Sequence, residues 1–255
     1  MHLHFYGWRP DTPDQRDLLY RVVASVPVPT DLDLRPEQPP VFDQGQLGSC
    51  TANGIGGELE AQALMQKEPL QVLSRLFIYY NERAMEGTVS EDAGASIRDG
   101  MKSVANQGVC PESEWPYNIK KFTVKPTKQC YTDALKFRSV VYRSVPQNLN
   151  SIKSALATAR GVVFGISVYE SFESDAVAKT GIVPLPAKGE KMLGGHCVRL
   201  VGYTDSGLAD VPAGYFIGMN SWGTGWGLKG FFALPYAYVT NPNLASDLWV
   251  VNAVS

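Results

Sequence analysis

The 255-residue sequence changes texture at Gly161, and that change bounds the possible folds more tightly than any other feature. Ahead of it, apolar residues recur at helical spacing, and helices are expected over residues 49–66, 74–85, 96–105 and 150–158, with Ser49 placed to cap the first. Beyond it come short β-branched and aromatic runs, GVVFGISVY, HCVRLVGYT, AGYFIGMNSW, GFFALPYAYV and LWVVNAV, separated by Gly, Pro, Asp and Ser clusters. Helices in one half and strands in the other exclude the regular alternation of a doubly wound sheet. The expected class is α+β: a helical lobe, a β lobe and a cleft between them.

Length is consistent with two lobes, since 255 residues is about 1.7 domains of about 150 residues each. A composition of 44% hydrophobic and 19% charged residues excludes a disordered chain. The net charge of −2 provides no field that would draw the chain to nucleic acid or an anionic membrane. The longest apolar run, 161–168, is far short of the roughly twenty residues of a membrane span. No secretory signal opens the chain as given, which leaves the compartment open.

Reactive residues are few: four cysteines, at 50, 110, 130 and 197, and three histidines, at 2, 4 and 196. The cysteines form no C-x-x-C pair, so neither a metal site nor a cofactor is expected. Residues 225–230, GWGLKG, satisfy G-x-G-x-x-G. The following FFALPYAYV reads as a strand, whereas a dinucleotide phosphate needs a helix N-terminus there.

Cys50 falls at the start of the first expected helix, where unpaired backbone N–H groups favour a thiolate. Most solitary cysteines are inert packing, so position alone decides little. Six residues earlier, in QGQLGSC, Gln44 can supply a side-chain amide that joins the Cys50 N–H as an oxyanion hole. His196 stands at the mouth of a strand and Asn220 at a turn between strands. Separately they read as a satisfied core histidine and a turn residue. Together with Cys50 they are the parts of a thiol-protease triad: nucleophile, general base and imidazole-orienting group.

These segments, DQGQLGSC, GGHCVRLVGY and NSWGTGWGLKGFF, closely resemble the papain-like cysteine peptidases over roughly residues 28–255. The resemblance implies a two-lobed fold with a helical left lobe and an antiparallel β-barrel-like right lobe. It also implies a cysteine endopeptidase in which Cys50 and His196 rest as a thiolate–imidazolium pair, Gln44 holds the oxyanion and Asn220 orients the ring. Leu47 and Asp92-Ala93-Gly94-Ala95 stand where the family usually has cysteines, and Thr51 where a tryptophan often follows the nucleophile. That places the chain in a divergent, bacterial- or viral-type branch. By the same resemblance, Gly94 and Ala95 would offer backbone to a substrate, while Ile166, Gly194 and Gly195 would line the specificity pocket beside His196. Trp222 would cover the histidine–asparagine bond. An inward Asp247 on the pocket floor would favour basic side chains. The partners implied are protein or peptide substrates and proteinaceous cysteine-protease inhibitors, with the enzyme acting as a monomer. The other readings are a catalytically silent peptide-binding module and a papain-fold acyltransferase.

Residues 1 to about 40 are rich in proline and acid, with a helical-looking insert from Pro13 to Val23, and residues 1–27 are expected to form an N-terminal arm. Its Tyr6, Trp8, Leu18, Leu19 and Tyr20 are too apolar to be left in water. Two placements are open for it: across the cleft as a short prosegment, or on the back of a lobe. His2 and His4 are read as incidental surface residues. Cys197, on the opposite strand face from His196, is expected to be packing. A bridge between Cys110 and Cys130 is left open by sequence distance alone.

Overall fold

The computed structural model describes residues 4–22, 25–136, 139–159 and 161–254. The helical half comprises α1 (Cys50–Met65), α2 (Arg75–Glu86), α3 (Ile97–Gln107) and the short α4 (Lys128–Ala134). Local chemistry sets most helix ends. Ser74, Ser96 and Thr127 cap α2, α3 and α4 by accepting from backbone N–H groups one turn on, and Gly87 ends α2 at φ 74°. α1 differs from its neighbours, because Cys50 to Gln62 are buried all round. It lies between α2 and α3 on one side and the sheet on the other, so over these residues it has no solvent-facing side.

The β half is an antiparallel sheet in the order β2 (Ser139–Ser144), β7 (Ala245–Val254), β3 (Val162–Tyr169), β4 (Met192–Thr204), β5 (Tyr215–Met219), β6 (Phe231–Pro235), with β1 (Asp31–Asp33) paired to β4. The helices α5 (Leu149–Ala159), α6 (Asp175–Thr180) and α7 (Tyr236–Val239) complete this half. Alternation along the strands divides the core. Phe164, Ile166 and Val198 join one buried cluster with Phe216 and Phe232, while Val163 and Cys197 join a second with Cys50, Ile55 and Phe77. The sheet's second face thus docks on α1. Across that junction Arg199 of β4 reaches Glu58 of α1 at 2.9 Å, both fully buried.

The helical insert expected over 13–23 does not form in the described part, which ends at residue 22. Asp14 spends its carboxylate on the N–H and guanidinium of Arg16, and Leu18 to Tyr20 run beside the edge strand β2: Ser144 N–H donates to the Leu18 carbonyl and Tyr20 N–H to that of Ser144, both at 2.8 Å. Tyr20 is buried against α5, whereas Leu18 and Leu19 face solvent. The 225–230 motif leads into β6, as its sequence implies, but the expected strand stops at Pro235 and Tyr236–Val239 turn into α7.

Candidate active site

Cys50 opens α1, so its sulfur sits where the first helical N–H groups have no intrahelical partner. The preceding loop is held by a closed set of bonds. Gln44 N–H donates to the Ser221 carbonyl at 2.9 Å, the Ser221 hydroxyl donates to Gln44 Oε1 at 2.6 Å, and the Tyr117 hydroxyl donates to the Gln44 carbonyl at 3.0 Å. With Oε1 fixed as acceptor, Nε2 is the free donor end, directed at the carbonyls of Leu47 (2.9 Å) and Phe5 (3.1 Å). Ser49 does not cap α1; its hydroxyl is engaged by Tyr117 and Asn53. Asp92 accepts from Gly48 N–H at 3.0 Å and from the Tyr79 hydroxyl, so a carboxylate joins the two segments that lack the familiar cysteines. Thr51 donates to Glu82 at 2.6 Å, and burial pushes that carboxyl well above its usual range.

His196 is fully buried, with Nε2 2.8 Å from Asn220 Oδ1. The same oxygen accepts from Ser221 N–H at 2.8 Å, which fixes it as an acceptor. Nε2 therefore carries the proton, and Nδ1, which has no hydrogen-bond partner, presents a lone pair. Trp222 stacks on the imidazole with centroids 4.8 Å apart and shields the His196–Asn220 bond. The Cys197 backbone N–H, next in the chain, lies beside the Cys50 sulfur, and Cys50 and Cys197 share one buried cluster, so α1 and β4 meet at the site.

Residues 4–12 occupy the cleft. Ala95 N–H donates to the Gly7 carbonyl (2.8 Å), Arg9 N–H to the Ala95 carbonyl (3.0 Å) and Trp8 N–H to the Gly195 carbonyl (3.0 Å). Gly7 lies closest to the loop, where a Cβ would stand 1.7 Å from the Gly48 carbonyl oxygen. Its N–H points at the Cys50 sulfur. Tyr6 covers Gly194, and the Trp8 indole lies over Gly165 and Gly195 with its Nε1 donating to Asp247 at 3.1 Å. His4 stacks on Trp222 at 3.7 Å and places Nδ1 2.8 Å from Glu173. The sulfur thus meets an N–H donor, while the carbonyl on the Gln44 amide belongs to Phe5, two residues away. No single carbonyl of the segment engages both groups.

Burial under this segment pushes the Cys50 thiol up to about 12 and the His196 imidazole down to about 4, because a low dielectric disfavours both charged forms. Both shifts act against the expected thiolate–imidazolium state while the cleft is covered. Two expectations need correction. Ile166 turns into the β-half core, since side chains alternate along β3, and Gly165 is the residue under Trp8. His4 is a cleft residue, although nothing local in the sequence marks its pairing with Glu173, 169 positions away. His2 lies outside the described residues. Gly94, Ala95, Gly194, Gly195 and Trp222 all border the occupied cleft, Gly94 through the approach of the Gly7 carbonyl. The Ser221 contacts were within reach of the NSWG motif; the bond from Asp92 to Gly48, across 44 residues, was not.

Residues 28–249 match the family model described as papain family cysteine protease. The chain is 39% identical to an uncharacterized peptidase C1-like protein, L477, of Acanthamoeba polyphaga mimivirus, over 98% of this chain and 87% of that protein. It is 30% identical to digestive cysteine proteinase 1 of Homarus americanus, over 88% of this chain and 67% of that one. Among solved structures, xylellain, a cysteine protease from Xylella fastidiosa, superposes with a TM-score of 0.90 at 39% identity, covering 100% of this chain and 99% of the other. Digestive procathepsin L 3 of Tenebrio molitor shares the fold, with a TM-score of 0.68 at 21% identity over 93% of this chain and 75% of that one. A viral and a bacterial relative at equal identity agree with the branch its departures suggest. Sequence, fold and the meeting of α1 with β4 lead to one assignment: the chain is a cysteine peptidase and belongs to the papain family.

Proposed function

We propose that Cys50 is the nucleophile and His196 the general base of an endopeptidase whose residues 28–255 are the catalytic unit and whose residues 1–27 are an inhibitory arm. The observation that carries the catalytic reading is the His196 ring: one nitrogen protonated on Asn220, the other a buried, unpartnered acceptor. Such a ring is set to take a thiol proton. With the arm displaced, water re-enters, the pair ionises, and the thiolate attacks a substrate carbonyl whose developing oxyanion is held by the Gln44 amide and the Cys50 N–H. His196 protonates the leaving amine and then activates the water that releases the acyl-enzyme. In this reading the arm resists cleavage because its carbonyl on the Gln44 amide is that of Phe5, two residues from the Gly7 beside the sulfur.

The slot under Trp8, closed at its end by Asp247, would accept a long side chain with a donor at its tip, such as lysine, arginine or tryptophan. We propose a monomer, and the emptied cleft would accept a proteinaceous inhibitor as well as a substrate. Among the described residues no helix is long and apolar enough to cross a membrane. The test is to incubate the full chain, a chain lacking residues 1–26 and its Cys50→Ala form with an epoxide thiol-protease inhibitor and a fluorogenic dipeptide. Labelling at Cys50 and hydrolysis by the truncated chain, both lost in Cys50→Ala, are expected. A folded truncated chain with neither property would overturn the catalytic reading, and equal activity with and without the arm would overturn the inhibitory one.

A further inference from the structure

The fold brings together two of the remaining cysteines. Cys110 lies on the segment after α3 that pairs with the approach to α2: Ser74 N–H donates to the Cys110 carbonyl at 2.9 Å and Glu112 N–H to that of Val72 at 2.8 Å. Cys130 lies in α4. Both are buried, and their sulfurs are within 4.8 Å of each other. Otherwise α4 is anchored lightly, by the Tyr131 hydroxyl on Asn81 at 2.8 Å and by the Tyr131 ring against Phe77 at 4.9 Å. Glu114 offers a third ligand atom to this cluster but is itself exposed. The other groups at the Cys130 sulfur are the Thr127 hydroxyl at 3.1 Å and the Glu114 carbonyl at 3.9 Å. Two thiolates and one exposed carboxylate fall short of the four protein ligands of a closed zinc site.

We infer that Cys110 and Cys130 are a redox modification site: in the presence of a low-molecular-weight disulfide they form an intramolecular bridge that clamps α4 to the start of α2. One thiol, deprotonated to solvent, attacks the small disulfide and releases one small thiol. The second protein thiol then attacks the mixed disulfide and releases another. Two electrons and two protons pass from the pair to the oxidant, and one S–S bond is exchanged for another. Because both sulfurs are buried, the exchange occurs during folding or when α4 opens. Cys50 and Cys197 take no part in it.

The protein is folded in oxidised and reduced glutathione, denatured, alkylated and peptide-mapped, with a parallel sample reduced first. The expected result is a linked Cys110–Cys130 peptide with Cys50 and Cys197 alkylated, and four alkylated cysteines after reduction. Closing a loop of this length should raise Tm by roughly 6 to 12 °C in the oxidised form, and Cys110→Ala or, if that variant folds poorly, Cys130→Ser should abolish the difference. Four alkylated cysteines in the oxidised sample, a bridge between other cysteines, or stoichiometric zinc retained on unlinked thiols would overturn the proposal.

Discussion

At the scale of single residues, Asn220 tests the orientation of the base. Its Oδ1 accepts from His196 Nε2 and from the Ser221 N–H, so losing the side chain frees the ring to take the other tautomer or rotate. A hydrogen bond whose ring partner becomes charged during the reaction is worth about 1.5–3 kcal/mol. Asn220→Ala, in a chain freed of its arm, should therefore lower kcat/KM about 10- to 100-fold without loss of Cys50 labelling. Steady-state kinetics with a fluorogenic dipeptide measures it. This residue was legible in the sequence because NSWG packs its functional contacts into four neighbouring positions. Glu173 was not, because its partners Tyr6 and His4 lie 167 and 169 residues away, and only the path of the arm brings them together.

Among the elements, the arm departs most from its sequence reading. Leu18, Leu19 and Val22 have helix-like spacing, yet the chain extends along β2 because the unpaired edge offers backbone partners that a short, proline-flanked helix cannot match. The missed α4 and α6 are too short, at 7 and 6 residues, for a periodic pattern, though Thr127 and Ser174 cap them visibly. Within the arm, Trp8 fills the slot over Gly165 and is 7% exposed. Truncating a buried tryptophan removes about 3–5 kcal/mol. Trp8→Ala should raise the activity of the full chain by two orders of magnitude, or to the ceiling set by the armless chain, and Gly7→Val should act likewise by collision with Gly48. The arm should also respond to pH. Burial and the neighbouring Asp247 carboxylate push Asp11 up to about 6, from 3.8 in the free arm. A carboxyl whose pKa is higher when docked favours docking at low pH, and that contribution is lost as pH rises from about 4 through about 6. Glu173 has the opposite sign: burial pushes it up, but His4 and Tyr6 outweigh that and hold it low, so its contribution fades only at more acid pH. The activity ratio of full to armless chain should therefore climb between pH 4 and 7. Asp11→Asn should flatten the climb and hold the ratio low at pH 7.

At the scale of the whole molecule, the cleft keeps its shape because α1 and β4 are joined beneath it. The change of texture at Gly161 revealed that there are two halves, although β1, β2 and α5, all ahead of it, belong to the β half, and the three motifs revealed which elements meet. The buried Arg199–Glu58 pair escaped that reading, since a charge 141 residues from its partner reads as solvated surface until the fold is known. Glu58 is also bonded to Gln62 at 2.8 Å, and a Cβ at Gly161 would stand 1.8 Å from its carboxylate, so the site has no room for a replacement cation or a large shift. Removing one member of such a pair costs about 3–5 kcal/mol, because the other charge is left buried and uncompensated. Arg199→Met should lose that much in urea unfolding at neutral pH. The loss should shrink in acid: burial already raises the Glu58 carboxyl despite Arg199, and without the guanidinium it rises further. A group raised in the folded state stabilises fully only below its unfolded pKa and loses that contribution as pH climbs through the folded value. Adding Glu58→Leu should restore most of the neutral-pH stability and remove its pH dependence. A single variant as stable as the parent at pH 7.5 would show that the lobes are held by apolar packing alone.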